Sequence, residues 1–137
     1  MTDADRGDDR LRMADALERQ RQAESREAGV LVKAFARDAA AAGIRPEVLT
    51  ARSYNGSTRV KTQVTGWYLK RDRSVGVGTD GLFYVLSTHV GIAERLRGAT
   101  LVPDDAPLEL GRGARDGESL PLVEAISKRL AGGNDWR

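Results

Sequence analysis

The sequence contains no cysteine, only one histidine and few aromatic residues, which make up 5% of its 137 positions. The absence of cysteine excludes disulfides, thiol catalysis and every cysteine-ligated zinc or iron–sulfur site. No stretch approaches the roughly 20 apolar residues of a membrane-spanning helix, and the acidic N-terminal segment lacks the apolar core of a secretory signal. We therefore expect a cytoplasmic protein that uses no cofactor or metal and does not associate with a membrane.

A dominant charge is also missing, because 22 basic residues oppose 20 acidic ones and leave a net charge of +2. The two signs are unevenly distributed. Residues 1–28 have a net charge of −2, whereas residues 45–73 hold seven basic and two acidic residues, a net charge of +5. Arginine outnumbers lysine 18 to 4, which together with frequent alanine indicates a GC-rich genome, and we expect a bacterial source.

The length of the chain fits a single domain. We assign that domain to residues 27–131, preceded by an N-terminal arm over residues 1–26 and followed by a flexible tail over residues 132–137. The composition of the arm favours a helix, but after Leu17 it is almost wholly polar. Such a segment cannot be held by the core of the domain, so we expect it to be partly disordered or helical. It is either an interaction helix or a solvated extension.

The domain begins with a helix predicted over residues 27–42, where apolar residues recur at helical spacing and Gly43 and Pro46 mark the end. The apolar positions are Val30, Leu31, Ala34, Phe35, Ala39 and Ala42. This stripe identifies the segment as the packed helix of the domain.

A four-stranded antiparallel meander is predicted next, with strands over residues 48–53, 58–69, 74–78 and 82–86. Asp80-Gly81 lies between the last two strands and favours a type I′ hairpin turn, because both central residues of that turn need positive φ. Asn55-Gly56 marks the first turn in the same way. The last strand is apolar throughout, which predicts that both of its faces are covered.

A short helix over residues 89–97, two short strands over 100–102 and 107–110, and a C-terminal helix from Ser119 complete the domain. The residues of the short helix that are expected to pack inward are Val90, Ile92, Ala93 and Leu96. This order of elements predicts an α+β fold whose helices lie mainly on one face of the antiparallel sheet.

Alternation along the strand over residues 58–69 places its polar side chains and one tryptophan on the same face. The residues of this parity are Arg59, Lys61, Gln63, Thr65 and Trp67. Together with Lys70, Arg71 and Arg73 in the following turn, they are the kinds of residues that bind phosphates and stack on bases when a sheet holds single-stranded nucleic acid. The simpler interpretation is a solvated face with Trp67 in the core.

The glycine-rich segment over residues 111–118 precedes a helix, an arrangement in which backbone N–H groups bind anions. It lacks the Gly-Lys-Ser/Thr end of a phosphate loop, and Asp116 and Glu118 would repel an anion. A plain loop is the favoured interpretation. Arg112 and Arg115 are kept as candidates for contact with an acidic partner.

No catalytic constellation is present, because His89 has no orienting acid and no nucleophile motif in the sequence. We predict a non-enzymatic interaction or adaptor domain that binds another protein or forms a homodimer through the N-terminal arm and the exposed sheet face. The alternative is a nucleic-acid-binding module on the basic, aromatic sheet face, with affinity that falls steeply with salt. An enzyme acting on a small substrate is the third and least favoured hypothesis.

Overall fold

The structure is a computed structural model that describes residues 2–111 and 119–136. Its elements in chain order are α1 Asp3–Ala41, β1 Glu47–Ser53, β2 Arg59–Tyr68, β3 Val75–Gly78, β4 Phe83–Val85, β5 Ser87–Thr88, α2 Ile92–Arg97, β6 Glu109–Leu110, β7 Leu120–Pro121, α3 Leu122–Gly132 and a 3-10 turn Gly133–Asp135. The predicted α+β class is confirmed. α1 and α3 pack against the same face of the main sheet.

α1 has 39 residues and begins at Asp3, so the start of the chain is helical in the structure. A capping box accounts for this early start: the Asp5 amide donates to the Thr2 hydroxyl oxygen (3.3 Å), and the Thr2 amide donates to the Asp5 carboxylate (3.3 Å). Residues 2–24 are exposed throughout, and burial begins at Ala28. α1 therefore has a solvated N-terminal part and a packed C-terminal part.

The packed part of α1 ends at Ala41, one residue from the predicted position. Gly43 follows with a φ of 74°, and the Ile44 amide donates back to the Ala39 carbonyl oxygen (3.0 Å). The buried stripe differs from the predicted one, since Val30 is 66% exposed. The residues that are buried are Ala28, Val32, Phe35, Ala36 and Ala39.

The main sheet has the strand order β4-β3-β2-β1-β5. Its first four strands are antiparallel neighbours, which confirms the predicted meander. The fifth strand, β5, pairs in parallel with β1 at Arg52 and Ser53. The sequence did not predict β5, because a strand of two residues is too short to show alternation.

The hairpin at Asp80-Gly81 is present, but the predicted type I′ turn is wrong. Of the two residues only Gly81 has positive φ (78°); its amide donates to the Gly78 carbonyl oxygen (2.9 Å), and the Gly78 amide donates to the Leu82 carbonyl oxygen (3.0 Å). The loop therefore has three residues with glycine in the left-handed position. Asp80 acts as a side-chain acceptor for the Leu82 amide (2.9 Å) and the Tyr84 hydroxyl (2.7 Å), which does not require positive φ.

The main sheet separates two buried clusters. The first joins α1 and α3 to Trp67, Val77 and Phe83. The second lies on the opposite face, where the segment that carries Leu101 covers it. The side-chain amide of Gln63 holds that segment, since it donates to the Leu101 carbonyl oxygen (2.6 Å) and accepts from the Leu101 amide (2.8 Å). One face of the sheet is thus covered by helices, which reach only the end of β2, and the other face by a loop.

α2 contradicts the prediction that its apolar residues pack inward. Ile92 and Leu96 are 80% and 81% exposed, and no residue of this six-residue helix is buried. The carboxylate of Glu94 accepts from the Gly91 amide (2.8 Å), so the helix is held at its start by capping. The neighbouring Ala99 is buried in place of the α2 residues.

The two predicted short strands are only partly correct. β6 is present and pairs with β7, although the residues of β7 were expected to begin the C-terminal helix. Residues 100–102 form no strand; instead Ala99 makes a single parallel bridge to Thr62. α3 begins at Leu122, whose amide donates to the Leu108 carbonyl oxygen (2.8 Å).

Candidate functional site

A cleft of about 530 Å³ opens where the α1–β1 connection, the end of β2 and the C-terminus meet. Its lining residues include four arginines, Arg45, Arg71, Arg73 and Arg129. Glu47 is the only acidic residue among the described lining residues. Concave sites with convergent polar groups are the usual places for ligand binding, so this arginine cleft is the candidate site.

Arg129 lies at the floor of the arginine cleft and is 5% exposed. Its Nε donates to the Tyr68 carbonyl oxygen (3.1 Å) and its Nη1 to the Gly133 carbonyl oxygen (2.7 Å). The guanidinium carbon lies 4.6 Å from the centroid of the Trp136 ring, a cation–π contact. These three contacts fix the guanidinium, while Nη2 has no hydrogen bond to the described residues.

The positive charge of the arginine cleft is compensated only in part within the described structure. None of its four arginines has a described carboxylate within 4 Å, because the ion pairs present involve other residues. Burial lowers the pKa of the Arg129 guanidinium from its usual value, and the charge of Glu47 opposes this shift only in part. Arg129 is therefore a largely buried cation whose charge Glu47 balances only in part.

A tight turn between β2 and β3 carries Arg71 and Arg73. The Arg73 amide donates to the Lys70 carbonyl oxygen (3.0 Å), and the Asp72 carboxylate accepts from the amide (3.0 Å) and the hydroxyl (2.6 Å) of Ser74. Arg73 has a φ of 60°, a left-handed conformation that non-glycine residues rarely adopt. Such strain is common at functional sites, where the surrounding structure maintains it.

Asn134 joins the C-terminus to the α1–β1 connection on the other side of the cleft. Its Oδ1 accepts from the Arg45 amide (2.8 Å), and its Nδ2 donates to the Gly43 carbonyl oxygen (3.1 Å). Residues 133–136, which were expected to be flexible, therefore pack against the domain. Arg45 and Arg129, which are far apart in sequence, both line this cleft.

Two of the residues predicted to bind a ligand, Arg71 and Arg73, line the arginine cleft together. Arg59 lies beside them, because its Nη2 donates to the Arg73 carbonyl oxygen (3.2 Å). Most of its hydrogen bonds go to Thr50, from Nε to the hydroxyl oxygen (2.9 Å) and from Nη2 to the carbonyl oxygen (3.0 Å). Arg59 thus supports the turn from the edge of the cleft.

The other predicted basic residues are not among the described lining residues. Lys61 is exposed on β2, away from the cleft. The side chain of Lys70 is only 13% exposed, and its Nζ lies 3.5 Å from the Asp72 carboxylate. Arg112 and Arg115, the candidates of the glycine-rich loop, lie outside the described residues.

Trp67 cannot serve as the predicted stacking surface, because it is 2% exposed. Its ring packs edge-on against Phe35 with centroids 5.9 Å apart, and its Nε1 donates to the Ile44 carbonyl oxygen (2.9 Å). The parity of β2 was predicted correctly, since Lys61 and Thr65 on the same face are exposed. α1 crosses this face only at the end of β2, where it covers Trp67.

Sequence reasoning missed Arg45, Arg129 and Trp136. A signal for Arg129 was present, because it follows Leu122 by seven residues and Ala125 by four, which places it on the buried face of α3. A charged residue on an otherwise apolar helical face indicates a special environment. Arg45 and Trp136 gave no such signal, since they lie in segments without a periodic pattern.

Within residues 2–111 and 119–136, no helix combines the length and the apolar character needed to cross a membrane. Comparison of the chain with protein-family models, with curated proteins and with solved structures gives no match.

Proposed function

We propose that this chain is a non-enzymatic binding domain of a cytoplasmic protein, and that its arginine cleft holds an anionic group presented by a partner protein. The proposal rests on Arg129, which is 5% exposed and has no described carboxylate within 4 Å. Taking a charge out of water is unfavourable, and the Tyr68 and Gly133 carbonyl oxygens and the Trp136 ring offset this cost without supplying a negative charge. An anion in the cleft would supply the missing charge and accept charge-assisted hydrogen bonds.

A binding role fits the arginine cleft better than a catalytic one. Arginine stays protonated at physiological pH, so the four cleft arginines bind and orient anions but do not transfer protons. The only histidine, His89, is not among the described lining residues, and its side chain is 80% exposed. The chemistry of the cleft is therefore that of an anion-binding site.

The N-terminal arm supplies a second surface for a partner or for another copy of the chain. Its apolar residues Leu11, Met13 and Leu17 are 66%, 65% and 50% exposed and belong to no buried cluster of the described structure. Size-exclusion chromatography with light scattering on the full chain and on a chain that starts at Glu27 tests this part of the proposal. We expect a homodimer that becomes a monomer on truncation; two monomers would remove self-association from the proposal.

Nucleic acid is the second candidate partner. Arg59 donates to the Arg73 carbonyl oxygen (3.2 Å), so basic groups extend from the arginine cleft to the exposed face of β2, which also carries Lys61. Binding of this kind releases counterions, and its affinity falls steeply with salt concentration. An oligonucleotide whose affinity changes little between low and high salt would rule out this candidate.

The anion-binding proposal is tested by ¹H–¹⁵N NMR of the full chain while acetate, sulfate or phosphate is added at constant ionic strength. We expect chemical-shift changes at amides that border the cleft, such as those of Glu47, Arg73 and Asn134. Arg129→Met should remove these changes, and Lys61→Met should leave them intact. Changes of equal size around Lys61 and around the cleft in the unsubstituted chain would contradict the proposal, because they would report general charge screening.

A second variant keeps this test decisive if Arg129→Met does not fold. Arg71 and Arg73 are exposed, so the double substitution Arg71→Gln/Arg73→Gln removes two cationic side chains without entering the core. We expect it to weaken anion binding at the cleft. Unchanged binding in the folded double variant would contradict a role for the convergent arginines.

A further inference from the structure

We infer that the group held in the arginine cleft is a phosphate monoester carried on the side chain of a partner protein, with its terminal oxygens against Arg129. This inference rests on the proposed anion-binding function and names its ligand class. Three properties of the cleft support it: its excess of positive charge, the burial and fixed position of Arg129, and the arginine that covers one face of each aromatic ring in the described lining.

The charge of the arginine cleft matches a phosphate monoester better than a carboxylate. Four arginines face one glutamate, so the described lining residues carry an excess of three positive charges. A carboxylate group brings one negative charge and two oxygens. A phosphorylated side chain brings about 1.5 to 2 negative charges at pH 7 and three strongly accepting oxygens, which several guanidinium groups can share. Clusters of arginine are a recurring means of recognising phosphorylated residues.

The depth of Arg129 favours a terminal phosphate over one within a polymer backbone. The Arg129 guanidinium is 5% exposed and is held by the Tyr68 and Gly133 carbonyl oxygens, so only a group that enters the concave site reaches its Nη2. A monoester phosphate has one substituent and can enter with its three free oxygens first. A phosphodiester is flanked by two sugars, which would have to be buried with it. The fixed position of Arg129 also lowers the entropic cost of binding.

The aromatic residues of the arginine cleft favour a protein partner over nucleic acid. The Arg73 guanidinium carbon lies 5.7 Å from the centroid of the Tyr68 ring, and that of Arg129 lies 4.6 Å from the centroid of the Trp136 ring. Each ring thus already has a cation over one face, and Tyr68 is only 6% exposed. Single-stranded nucleic acid is normally held by bases stacked on open rings, and the buried Tyr68 and the Trp136 face that Arg129 covers are closed to such stacking.

Isothermal titration calorimetry on the full chain tests the inference with matched probes. The first is an N-acetylated, C-amidated peptide with one phosphoserine among glycine and alanine; the second carries glutamate in its place, and the third carries serine. The fourth and fifth are a short oligothymidylate with a 5′-phosphate and the same oligomer with a 5′-hydroxyl. We expect the phosphoserine peptide to bind at least about tenfold more tightly than the glutamate peptide, and the serine peptide to show no binding.

The affinity for the phosphoserine peptide should fall as the pH is lowered from 7.5 to 5.5, because the second pKa of the phosphate is about 6 and the monoanion loses one charge. The affinity for the glutamate peptide should stay constant over this range, since neither arginine nor glutamate titrates there. Arg129→Met and, independently, Arg71→Gln/Arg73→Gln should remove the preference for phosphoserine. Lys61→Met is the matched control and should retain the preference for phosphoserine over glutamate.

Three outcomes would overturn the inference. Equal affinity for the phosphoserine and glutamate peptides would show a general anion site, and the proposed function would stand without this ligand class. An oligothymidylate that binds more tightly than the phosphoserine peptide would assign the arginine cleft to nucleic acid. If no probe binds and acetate, sulfate and phosphate produce no chemical-shift changes at the cleft, the proposed function fails as well.

Discussion

Two basic regions of this protein, the exposed face of β2 and the arginine cleft, differ in how their charges are satisfied. On the β2 face, Arg59 donates to Thr50 (2.9 and 3.0 Å), Gln63 is bonded to Leu101 (2.6 and 2.8 Å), and Lys61 is exposed to water. The cleft arginines have no described carboxylate within 4 Å. The charges of the first region are satisfied by hydrogen bonds or by water, whereas the described lining of the second has four arginines and a single carboxylate, that of Glu47.

The number of basic residues in a region is a poor guide to a binding site. A cation in water is well solvated, and its removal or pairing changes the free energy of folding or binding little. A guanidinium buried beside other cations has lost its hydration and gains much from an anion. The two regions therefore differ in how deeply their basic residues are buried, and burial cannot be derived from amino-acid composition.

The largest expected effect concerns Trp67, which shares parity with the β2 face but belongs to the core. Trp67→Ala should lower the free energy of unfolding by about 3 to 5 kcal/mol, because it removes a buried ring and leaves a cavity. Thr65→Val, two residues earlier on the same face, should change it by less than about 0.5 kcal/mol, because Thr65 is exposed. Urea denaturation measures both. Similar values for the two variants would show that the end of β2 is not buried.

The next largest effect is the difference in peptide affinity between a substitution in the arginine cleft and one on the β2 face. Arg129→Met should weaken binding of the phosphoserine peptide by about 100-fold, or roughly 2.7 kcal/mol, because it removes the fixed cation at the floor of the cleft. Lys61→Met should change the affinity by less than about twofold. Calorimetric titration measures both dissociation constants. Equal losses of affinity in the two variants would show that the arginine cleft and the β2 face do not differ in peptide binding.

A smaller effect tests the strained turn that carries Arg73. Its φ of 60° is tolerated by asparagine but is unfavourable for a β-branched residue. Arg73→Asn should leave the free energy of unfolding within about 0.5 kcal/mol of the unsubstituted chain, and Arg73→Val should lower it by roughly 1 to 2 kcal/mol. Both should weaken anion binding. Equal stabilities of the two variants would mean that the turn imposes no such conformation.

The smallest expected effect is a pH-dependent contribution of Asp72, in the same turn, to the stability of the fold. Burial raises the pKa of Asp72, but hydrogen bonds from Ser74 and the charge of Lys70 outweigh it, so the pKa lies below its usual value of 3.8. A lowered folded-state pKa stabilises the fold above pH 3.8, and this contribution is lost as the pH falls through the folded-state value. Asp72→Asn should reduce the loss of stability below pH 3.8. Thermal unfolding of both chains between pH 2 and pH 6 measures the difference; parallel curves would contradict the assignment.

Local patterns predicted much of the fold. The apolar stripe of α1, the alternation of β2 and the glycine of the Asp80-Gly81 turn each depend on residues close in sequence, and each predicted its element. Predictions were wrong where contacts between distant parts of the chain determine which residues are buried. Ile92 and Leu96 have the spacing of a packed helix but are 80% and 81% exposed, because α2 lies outside both buried clusters.

The candidate site was only partly predictable for the same reason. Arg71 and Arg73 were identified from their place in a basic turn, and they line the cleft. Arg45 and Arg129 join them through tertiary contacts: α3 packs in one cluster with α1, and Asn134 bonds the Arg45 amide, a contact across 89 positions of the sequence. Trp67 lies in the core, as the simpler interpretation had it, and not on a stacking surface. The strand pattern left both interpretations open, because parity assigns a residue to a face but does not reveal which part of the face a helix covers.

The most direct test of anion binding in the arginine cleft is anomalous diffraction from a crystal of the full chain. The crystal is soaked in selenate, a heavier analogue of sulfate. An unpaired guanidinium at the floor of the arginine cleft should place a selenium peak within the cleft, with a selenate oxygen about 3 Å from Arg129 Nη2. The Arg129→Met crystal, soaked in the same way, should lack this peak. Selenium peaks beside Lys61 and none in the cleft of the unsubstituted chain would contradict the claim that the cleft is the anion-binding site.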